Sequence, residues 1–433
     1  MVKRITEKKM GRTSIFIMDE YYDDTLMWST TINVEPAIVE LKDKKIYMLY
    51  DSEQNLIENA YDFLNKRGKR ESENTLRNRM YTLKYLYAYS EIIEIPIEEF
   101  NKKHLIGFVQ FLIGDSSVGG EYEFDLLTKR DEKSIGLMLS VIRLYYDYLQ
   151  LKQYTILQER AFNRYSTSGH KKYANSVVPK FISSEQFEDI IEYIQNEIKP
   201  KERRLRDECI VRLMYESGCR LGEVLGSTLE DYSLIQENGE YRGKLIIRNR
   251  VTDNNCQKAK TCKNVDSKSD YNTSGYKELG RGYQFVTFSS DLYELLMKYQ
   301  DTAHVISKKK KGKLYKNYER NSEADAVGTF KSSHKKNFYM FLNYRKEPLL
   351  SMGWNKELKV IFEHVGIYVD RNYKSTNLSH RFRHGFIMNL IYVDKMPISL
   401  VKYKSRHKNE SSLEKYNNPT ARQIADHYKR MSR

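Results

Sequence analysis

The chain has 433 residues, which is long enough for two or three domains and excludes a single small module. Lys and Arg total 73 against 58 Asp and Glu, and the net charge of +15 favours a polyanionic partner, either nucleic acid or an anionic membrane. No apolar run reaches the roughly 18 residues that span a bilayer, and the N-terminus lacks the apolar core of a secretory signal. We therefore expect a soluble, cytoplasmic protein without a membrane partner.

The first 70 residues alternate between apolar and polar side chains. This alternation at residues 13–18 and 45–50 predicts β-strands separated by acidic turns. We expect a small N-terminal unit over residues 1–70.

From about residue 72 the apolar spacing becomes helical. Leu76, Met80 and Leu83 recur at this spacing, and similar patterns follow near residues 105–112 and 135–149. The spacing predicts a compact helical domain over residues 71–162.

Residues 163–180 are polar, rich in Ser, Gly and Lys, and without an apolar period, so we expect a linker there.

A further domain is predicted over residues 181–433. Ser183 is a typical N-cap for its first helix. A helix over residues 206–217 should end at Gly218 and another begin near Leu221, which places Arg220 at the junction. Apolar runs at 245–247 and 284–288 predict a β-hairpin with a long polar tip. The expected fold class is mainly α with a small β-sheet (α+β).

The most informative segment runs from Asn377 to Tyr416 and holds three of the nine histidines. His380, Arg383 and His384 are spaced i, i+3 and i+4, so a helix would place them on one face. The plain alternative is a polar helix face. A zinc site is disfavoured, because the glutamate of the metalloprotease pattern is missing and the neighbouring arginines would repel a cation. The four cysteines also lack zinc-ligand spacing, and we expect no metal.

Clustered cationic side chains suit an anionic target, because an arginine can hold two phosphate oxygens at once. A phosphoryl-transfer site needs such charge, an in-line nucleophile and a proton donor for the leaving oxygen. Arg383 would supply one cation, and a second must come from elsewhere in the chain.

The segment SGCRLGEV at residues 217–224 resembles the first arginine box of the tyrosine recombinases, with Arg220 and Glu223 in the box positions. The segment HRFRH at residues 380–384 is similar to the HxxRH helix of the same family. His407 precedes Tyr416 by nine residues, as in the family's His-to-Tyr segment. The order and spacing of these motifs agree with the family over roughly residues 180–420.

The resemblance implies a role for each matching residue. Arg220 and Arg383 would neutralise the non-bridging phosphate oxygens, and Tyr416 would attack phosphorus to give a 3′-phosphotyrosyl enzyme and a free 5′-hydroxyl. His407 would hydrogen-bond the phosphate, and His380 would assist the tyrosine proton.

Two further residues would support this set. Glu223 would orient the arginine box, and His384 would buttress the second arginine. The family also uses a hairpin lysine as general acid toward the leaving 5′-oxygen. Lys258, Lys260, Lys263 and Lys268 are the candidates here, and we select Lys260 because it follows soon after the first strand.

The sequence departs from the family pattern at two positions. The family usually has glycine before the third-box histidine and a small hydroxyl residue two positions after the first arginine. Here these positions hold Arg406 and Gly222. Neither departure removes a reactive group, although Arg406 adds charge close to the site.

The resemblance implies an enzyme that cuts and rejoins double-stranded DNA without an energy cofactor, as in integration or transposition. A helical core-binding domain (71–162) and a catalytic domain (181–433) would close around DNA as a clamp. The resemblance does not assign residues 1–70, which we expect to be an accessory DNA-binding unit. The family further implies a homo-tetramer on synapsed DNA sites, with accessory recombination proteins as partners. The charge agrees with this, since residues 366–433 hold 14 Lys and Arg against 5 Asp and Glu.

Three alternatives remain open on the sequence. A catalytically silent DNA-binding or architectural protein would keep the fold and bind without cleavage. A type IB topoisomerase-like enzyme would use similar chemistry to relax supercoils. A membrane-surface protein would need a basic amphipathic helix with a large apolar face, and none is evident.

Overall fold

A computed structural model of the chain describes residues 2–11, 13–41, 44–66, 71, 73–114, 121–127, 129–163, 165, 180–248, 274, 283–304, 339–369, 378–407 and 409–416. The chain divides into two compact units, Met1–Asn175 and Ser176–Arg433. Among the described residues, no helix is both long enough and apolar enough to cross a membrane.

The described part of the first unit contains six β-strands. Their bounds are β1 Val2–Met10, β2 Thr13–Tyr22, β3 Thr25–Ile32, β4 Glu35–Leu41, β5 Lys44–Tyr50 and β6 Tyr122–Asp125. One sheet has the order β3-β2-β1-β6, with β6 parallel to β1, while β4 and β5 form an antiparallel pair. The strands predicted at 13–18 and 45–50 are confirmed as β2 and β5, and Phe16 and Met18 share the buried face of β2.

The described part of the first unit also contains six α-helices. Their bounds are α1 Glu58–Asn65, α2 Glu73–Ile92, α3 Lys102–Ile113, α4 Glu132–Tyr148, α5 Gln153–Ile156 and α6 Arg160–Asn163. The helices predicted from apolar spacing are confirmed as α2, α3 and α4. Asn101 and Asp131 cap α3 and α4, each accepting a hydrogen bond from a backbone N–H in the first turn.

Strands and helices of the first unit share one hydrophobic core. Ile5 and Phe16 from the sheet belong to the same buried cluster as Leu83, Phe111 and Tyr145 from the helices. The boundary predicted at residue 70 is therefore not marked by a break in the core. The division into 1–70, 71–162, 163–180 and 181–433 stays a prediction, and most of the expected linker lies outside the described residues.

The described part of the second unit is mainly helical with one small sheet. Its elements are α7 Ser184–Glu197, α8 Lys201–Glu216, α9 Leu221–Leu225, β7 Tyr232–Glu237, β8 Glu240–Arg248, β9 Tyr283–Ser289, α10 Ser290–Ala303, α11 Ser351–His364, α12 His380–Met388 and α13 Ile398–Ser405. Ser183 caps α7 in a capping box with Gln186, as predicted. With the small sheets of both units, the predicted α+β class is confirmed.

The predicted hairpin is also confirmed. Strands β8 and β9 pair antiparallel, with Leu245 opposite Val286 and Ile246 opposite Phe285. A third strand, β7, pairs with the other edge of β8 and was not predicted. The tip of the hairpin lies outside the described residues.

Helix α12 is anchored at both its start and its middle. The indole N–H of Trp354 donates to Oγ of Ser379, directly before the helix, at 3.1 Å. The N–H of Ile182 donates to the carbonyl of Arg381 at 3.1 Å. A Cβ at Gly385 would lie 2.3 Å from the Ile182 carbonyl oxygen, so glycine permits this approach. These contacts fix the helix that carries the HRFRH segment.

Candidate active site

The turn between α8 and α9 brings the first arginine box against α12. Gly218 adopts the left-handed conformation, with φ of +62°, and a Cβ there would lie 2.3 Å from Cδ1 of Phe386 on α12. Glycine is needed for both the backbone conformation and the close approach. The turn directs the Gly218 carbonyl toward Arg383.

Arg220 and Glu223 form an ion pair. Arg220 is the N-cap residue of α9, its backbone N–H donates to Oε2 of Glu223 at 2.9 Å, and its Nη1 donates to Oε1 at 2.8 Å. The Glu223 carboxylate is buried. Burial alone would raise the pKa of Glu223, but Arg406, Arg220 and Arg383 together lower it below its usual range. The group is therefore a buried carboxylate that stays ionised.

Arg383 is held by two backbone carbonyls. It lies on α12, is 1% exposed, and its Nη1 and Nη2 donate to the carbonyl oxygens of Gly218 and Ser405 respectively. Burial, reinforced by Arg220 and Arg406, lowers the pKa of Arg383 to about 9, so the guanidinium stays protonated at neutral pH. A cation in a fixed orientation thus connects the turn after α8 with the end of α13.

Tyr416 contacts His384. It ends a 3₁₀ turn, Glu414–Tyr416, and its hydroxyl is hydrogen-bonded to Nδ1 of His384. The two ring centroids lie 5.4 Å apart, and the Tyr392 hydroxyl donates to the carbonyl of Tyr416 at 2.7 Å. The resemblance implied that His384 buttresses Arg383, whereas its hydrogen bond here is to the tyrosine.

Burial keeps both members of this pair neutral. Tyr416 is 1% exposed, and burial raises the pKa of its hydroxyl more than Arg383 and Arg220 lower it. Burial also lowers the pKa of His384 to about 2, with further lowering by His380 and Lys415. At neutral pH a protonated phenol therefore faces an uncharged imidazole.

The two other histidines flank the pair. The ring of His380 lies edge-on to that of His384, with centroids 4.5 Å apart. Nδ1 of His407 lies 2.7 Å from Oγ of Ser405, which orients the ring. Burial first, and the nearby cations second, lower the pKa of His380 to about 4 and that of His407 to about 3.

The structure thus brings together seven of the eight residues predicted from the sequence: Arg220, Glu223, His380, Arg383, His384, His407 and Tyr416. Lys260 and the other hairpin lysines lie outside the described residues. Within the described part of the chain, no group of three or more His, Cys, Asp or Glu side chains is placed to hold a metal ion.

Sequence reasoning missed several contacts of the site. The carbonyls of Gly218 and Ser405 leave no side-chain signature, so no residue pattern predicts them. Tyr392 could not be distinguished among 35 tyrosines. Arg406 was visible as a departure from glycine, but its ion pair with Glu223, at 2.5 Å, was not foreseen.

The fold and site define an α+β unit in which a buried tyrosine lies near two arginines and three histidines from distant positions in the sequence. No family model matches the chain. It is 30% identical over 214 residues to transposase A from transposon Tn554 of Staphylococcus aureus, covering 46% of this chain and 58% of the relative. It is 28% identical over 191 residues to tyrosine recombinase XerC of Actinobacillus succinogenes, covering 44% and 57%.

These similarities confirm the resemblance to the tyrosine recombinases that the motifs indicated. The chain spans less than two thirds of the length of these curated relatives. Among solved structures, a post-cleavage complex of the XerH site-specific recombinase with its palindromic difH substrate aligns with a TM-score of 0.48 and 15% identity, over 83% of this chain and 80% of that chain.

Proposed function

We propose that the protein is a site-specific DNA recombinase that cuts and rejoins strands through a 3′-phosphotyrosyl intermediate. One observation carries this proposal: the hydroxyl of Tyr416 is hydrogen-bonded to a neutral histidine in a site that also contains Arg220 and Arg383. A nucleophile, a proton acceptor and two phosphate-binding cations are the parts that phosphoryl transfer requires. The similarity to a transposase and to a tyrosine recombinase supports the same activity.

The two arginines would stabilise the phosphate in the transition state. Their positive charges oppose the charge that develops on the non-bridging oxygens when Tyr416 attacks phosphorus. Arg383 is oriented by two carbonyls, so little rearrangement of its guanidinium would be needed, whereas Arg220 would turn from Glu223 toward the phosphate. His407 would donate a hydrogen bond to the same phosphate.

His384 is the better candidate to take the tyrosine proton. A raised phenol pKa means that the hydroxyl needs a base, and His384 already contacts that hydroxyl through Nδ1. Because burial lowers the pKa of His384, the negative charge of a bound phosphate would have to raise that pKa before the ring takes the proton. In the tautomer that leaves Nδ1 unprotonated, the hydroxyl donates and the ring can accept the proton. His380 would then support the His384 ring instead of contacting the nucleophile. Because Tyr416 is buried, binding of the duplex must uncover its hydroxyl.

The leaving 5′-oxygen needs a proton, and Lys260 remains the proposed donor. A DNA substrate with a 5′-thio leaving group needs no such proton, so cleavage lost in Lys260→Ala should return on that substrate. If the thio substrate does not restore cleavage, another residue holds the role.

Duplex DNA is the proposed substrate and partner, and no energy cofactor is needed, because the phosphotyrosyl bond conserves the energy for resealing. We propose that domains 71–162 and 181–433 close around the duplex as a clamp, with residues 1–70 as an accessory DNA-binding unit. A homo-tetramer on two synapsed sites would carry out strand exchange in the cytoplasm, assisted by accessory proteins.

Covalent trapping tests the proposal. The full chain is incubated with a duplex nicked near the cut site, so that release of a short fragment prevents resealing, and the adduct is detected on a denaturing gel. We expect an adduct with the wild type and none with Tyr416→Phe. Tyr403→Phe is the matched control, because Tyr403 lies in the same segment and is 74% exposed. An adduct of equal yield in Tyr416→Phe would refute the assignment.

A second assay separates strand exchange from the alternatives. Two labelled duplexes that carry repeat sequences found beside the gene are mixed with the protein, and a supercoiled plasmid without those sequences is incubated in parallel. We expect recombinant duplexes. Relaxation of the plasmid without recombinants would indicate a topoisomerase, and binding without either product would indicate an architectural protein.

A further inference from the structure

Arg406 occupies a backbone position that favours glycine. It follows α13, its φ and ψ are +56° and 42°, and its N–H donates to the carbonyls of Lys402 and Tyr403. A side chain in this left-handed region destabilises the backbone relative to glycine. Tyrosine recombinases usually have glycine here. A compensating interaction of the Arg406 side chain is therefore expected.

The side chain makes that interaction with the first arginine box. Its guanidinium is 6% exposed, and Nη2 lies 2.5 Å from Oε2 of Glu223 and 3.5 Å from the carbonyl oxygen of Gly218. Arg406, which directly precedes His407, thus contacts both Glu223 on α9 and the Gly218 turn that holds Arg383. The ion pair joins segments 183 positions apart in the sequence.

Glu223 lies between two arginines of different exposure. Its carboxylate is 1% exposed, the side chain of Arg220 is 28% exposed, and that of Arg406 is 6% exposed. A buried carboxylate that loses its only counter-ion is strongly destabilising. If Arg220 alone paired with Glu223, rotation of Arg220 toward a phosphate would leave that carboxylate without a counter-ion.

We propose that Arg406 is a positioning residue: it is the permanent counter-ion of Glu223 and leaves Arg220 free to bind the scissile phosphate. This inference rests on the proposed function. In the proposed role Arg406 has no contact with DNA, because its guanidinium is paired with Glu223 and is 6% exposed. It therefore acts on cleavage through Arg220 and not on affinity for the duplex.

Arg406→Gly tests the inference, because glycine suits the backbone and removes the ion pair with Glu223 together with the longer contact to the Gly218 carbonyl. Lys346→Gly is the matched control in the same unit. Lys346 also has a left-handed backbone, with φ of +61°, and its ammonium pairs with Glu202 at 2.5 Å and the Ala303 carbonyl at 3.1 Å, neither of which belongs to the site.

Single-turnover covalent cleavage and duplex affinity are measured for each full-length variant. Arg406→Gly should cleave at least about 10-fold more slowly than Lys346→Gly, as expected when a catalytic cation is misplaced, with affinity within about twofold. Arg406→Lys keeps the charge and should recover part of the rate. This recovery would also show that the effect does not come from loss of folding.

The dependence of covalent cleavage on pH supplies a second readout, which a merely structural role of Arg406 would not change. Glu223 interacts with Arg220, Arg383 and Arg406, and also with Cys219 and His380. Removing one cation raises the pKa of Glu223, so the loss of cleavage at acid pH should begin at a higher pH in Arg406→Gly. In the double variant with Glu223→Gln this shift should disappear, because no carboxylate is left to titrate.

The outcomes of these experiments separate the role proposed for Arg406 from the proposed function of the protein. An adduct with the wild type but equal cleavage by Arg406→Gly and Lys346→Gly overturns the role of Arg406 and leaves the proposed function intact. Parallel loss of affinity and cleavage in Arg406→Gly, without recovery in Arg406→Lys, also overturns it. No adduct with the wild type overturns both claims.

Discussion

At the scale of single residues, two kinds of support hold the site. Side-chain partners hold Arg220 and Tyr416, whereas backbone carbonyls hold Arg383. The carbonyls accept from a planar guanidinium in a fixed geometry, which an ammonium on a flexible stem cannot reproduce. The type of cation at position 383 should therefore matter as much as its charge.

Arg383→Lys tests this requirement. We expect covalent cleavage to fall by about 100-fold or more and the thermal midpoint to fall, because two buried carbonyls lose donors. The control is Arg381→Lys, a buried residue of the same helix whose Nη1 donates to the carbonyl of Tyr368, which is not part of the site. Cleavage rates within about twofold of each other in the two variants would contradict the account.

The three histidines predict how stability depends on pH. Burial lowers the pKa values of His380, His384 and His407 to about 4, 2 and 3 from the ordinary 6.5. As the pH falls below 6.5, the unfolded chain takes up protons before the folded chain does, so the stabilisation is complete above that pH and is lost toward pH 4 and below.

We expect the thermal midpoint, followed by circular dichroism, to fall between pH 7 and pH 5. His384→Asn keeps a hydrogen-bonding group without a titratable ring, and should weaken this dependence. A midpoint that rises toward pH 5 would contradict the burial of neutral histidines.

At the scale of elements, turns bring the site together. Gly218 closes α8 and allows Phe386 of α12 to approach, and the 3₁₀ turn that ends at Tyr416 returns the chain to α12. Ile387, Leu413 and Tyr416 share a buried cluster in this region. The position of the nucleophile thus depends on packing between elements that are short on their own.

Gly218→Ala should destabilise the protein by about 1–3 kcal/mol, because it combines a left-handed backbone with a clash against Phe386. Gly366→Ala is the control, since its φ is +69° and nothing lies within 4 Å of the added Cβ. Chemical denaturation measures both. We expect the larger loss for Gly218→Ala, and equal losses would exclude the clash.

The sequence predicted those elements whose residues carry a strong period. Helices α3 and α4 and the β8–β9 hairpin were found because one face of each is buried. Helix α2 was found from apolar residues at helical spacing, although its buried residues lie all around it. Strand β3 was missed, since most of its side chains are exposed and leave no alternating pattern. Within the site, spacing alone placed His380, Arg383 and His384 on one face. It could not show that the histidine contacting Tyr416 is His384, because that depends on how residues 407–416 fold back.

At the scale of the whole molecule, charge dominates the expected behaviour. The chain carries +15, and residues 366–433 hold 14 Lys and Arg against 5 Asp and Glu. Binding to a duplex would release counterions from the phosphates. Most of the contacts would go to phosphates and fewer to base edges.

Salt titration tests this expectation. We expect the duplex association constant to fall by about 1,000-fold or more between 50 and 200 mM salt. Fluorescence anisotropy with a labelled duplex measures the decrease, and an uncharged crowding agent controls for nonspecific effects. Affinity that does not change with salt would contradict a phosphate-based interface.

Mapping the residue that is linked to DNA tests the central claim most directly. The covalent adduct formed with a trapping duplex is digested with protease and nuclease, and the modified peptide is sequenced by mass spectrometry. The duplex carries a label on one end, so that the polarity of the break is also read. We predict a nucleotide on Tyr416 joined through a 3′-phosphate, with a free 5′-hydroxyl on the other fragment. A nucleotide on another residue, or a 5′-phosphotyrosyl linkage, would contradict the account.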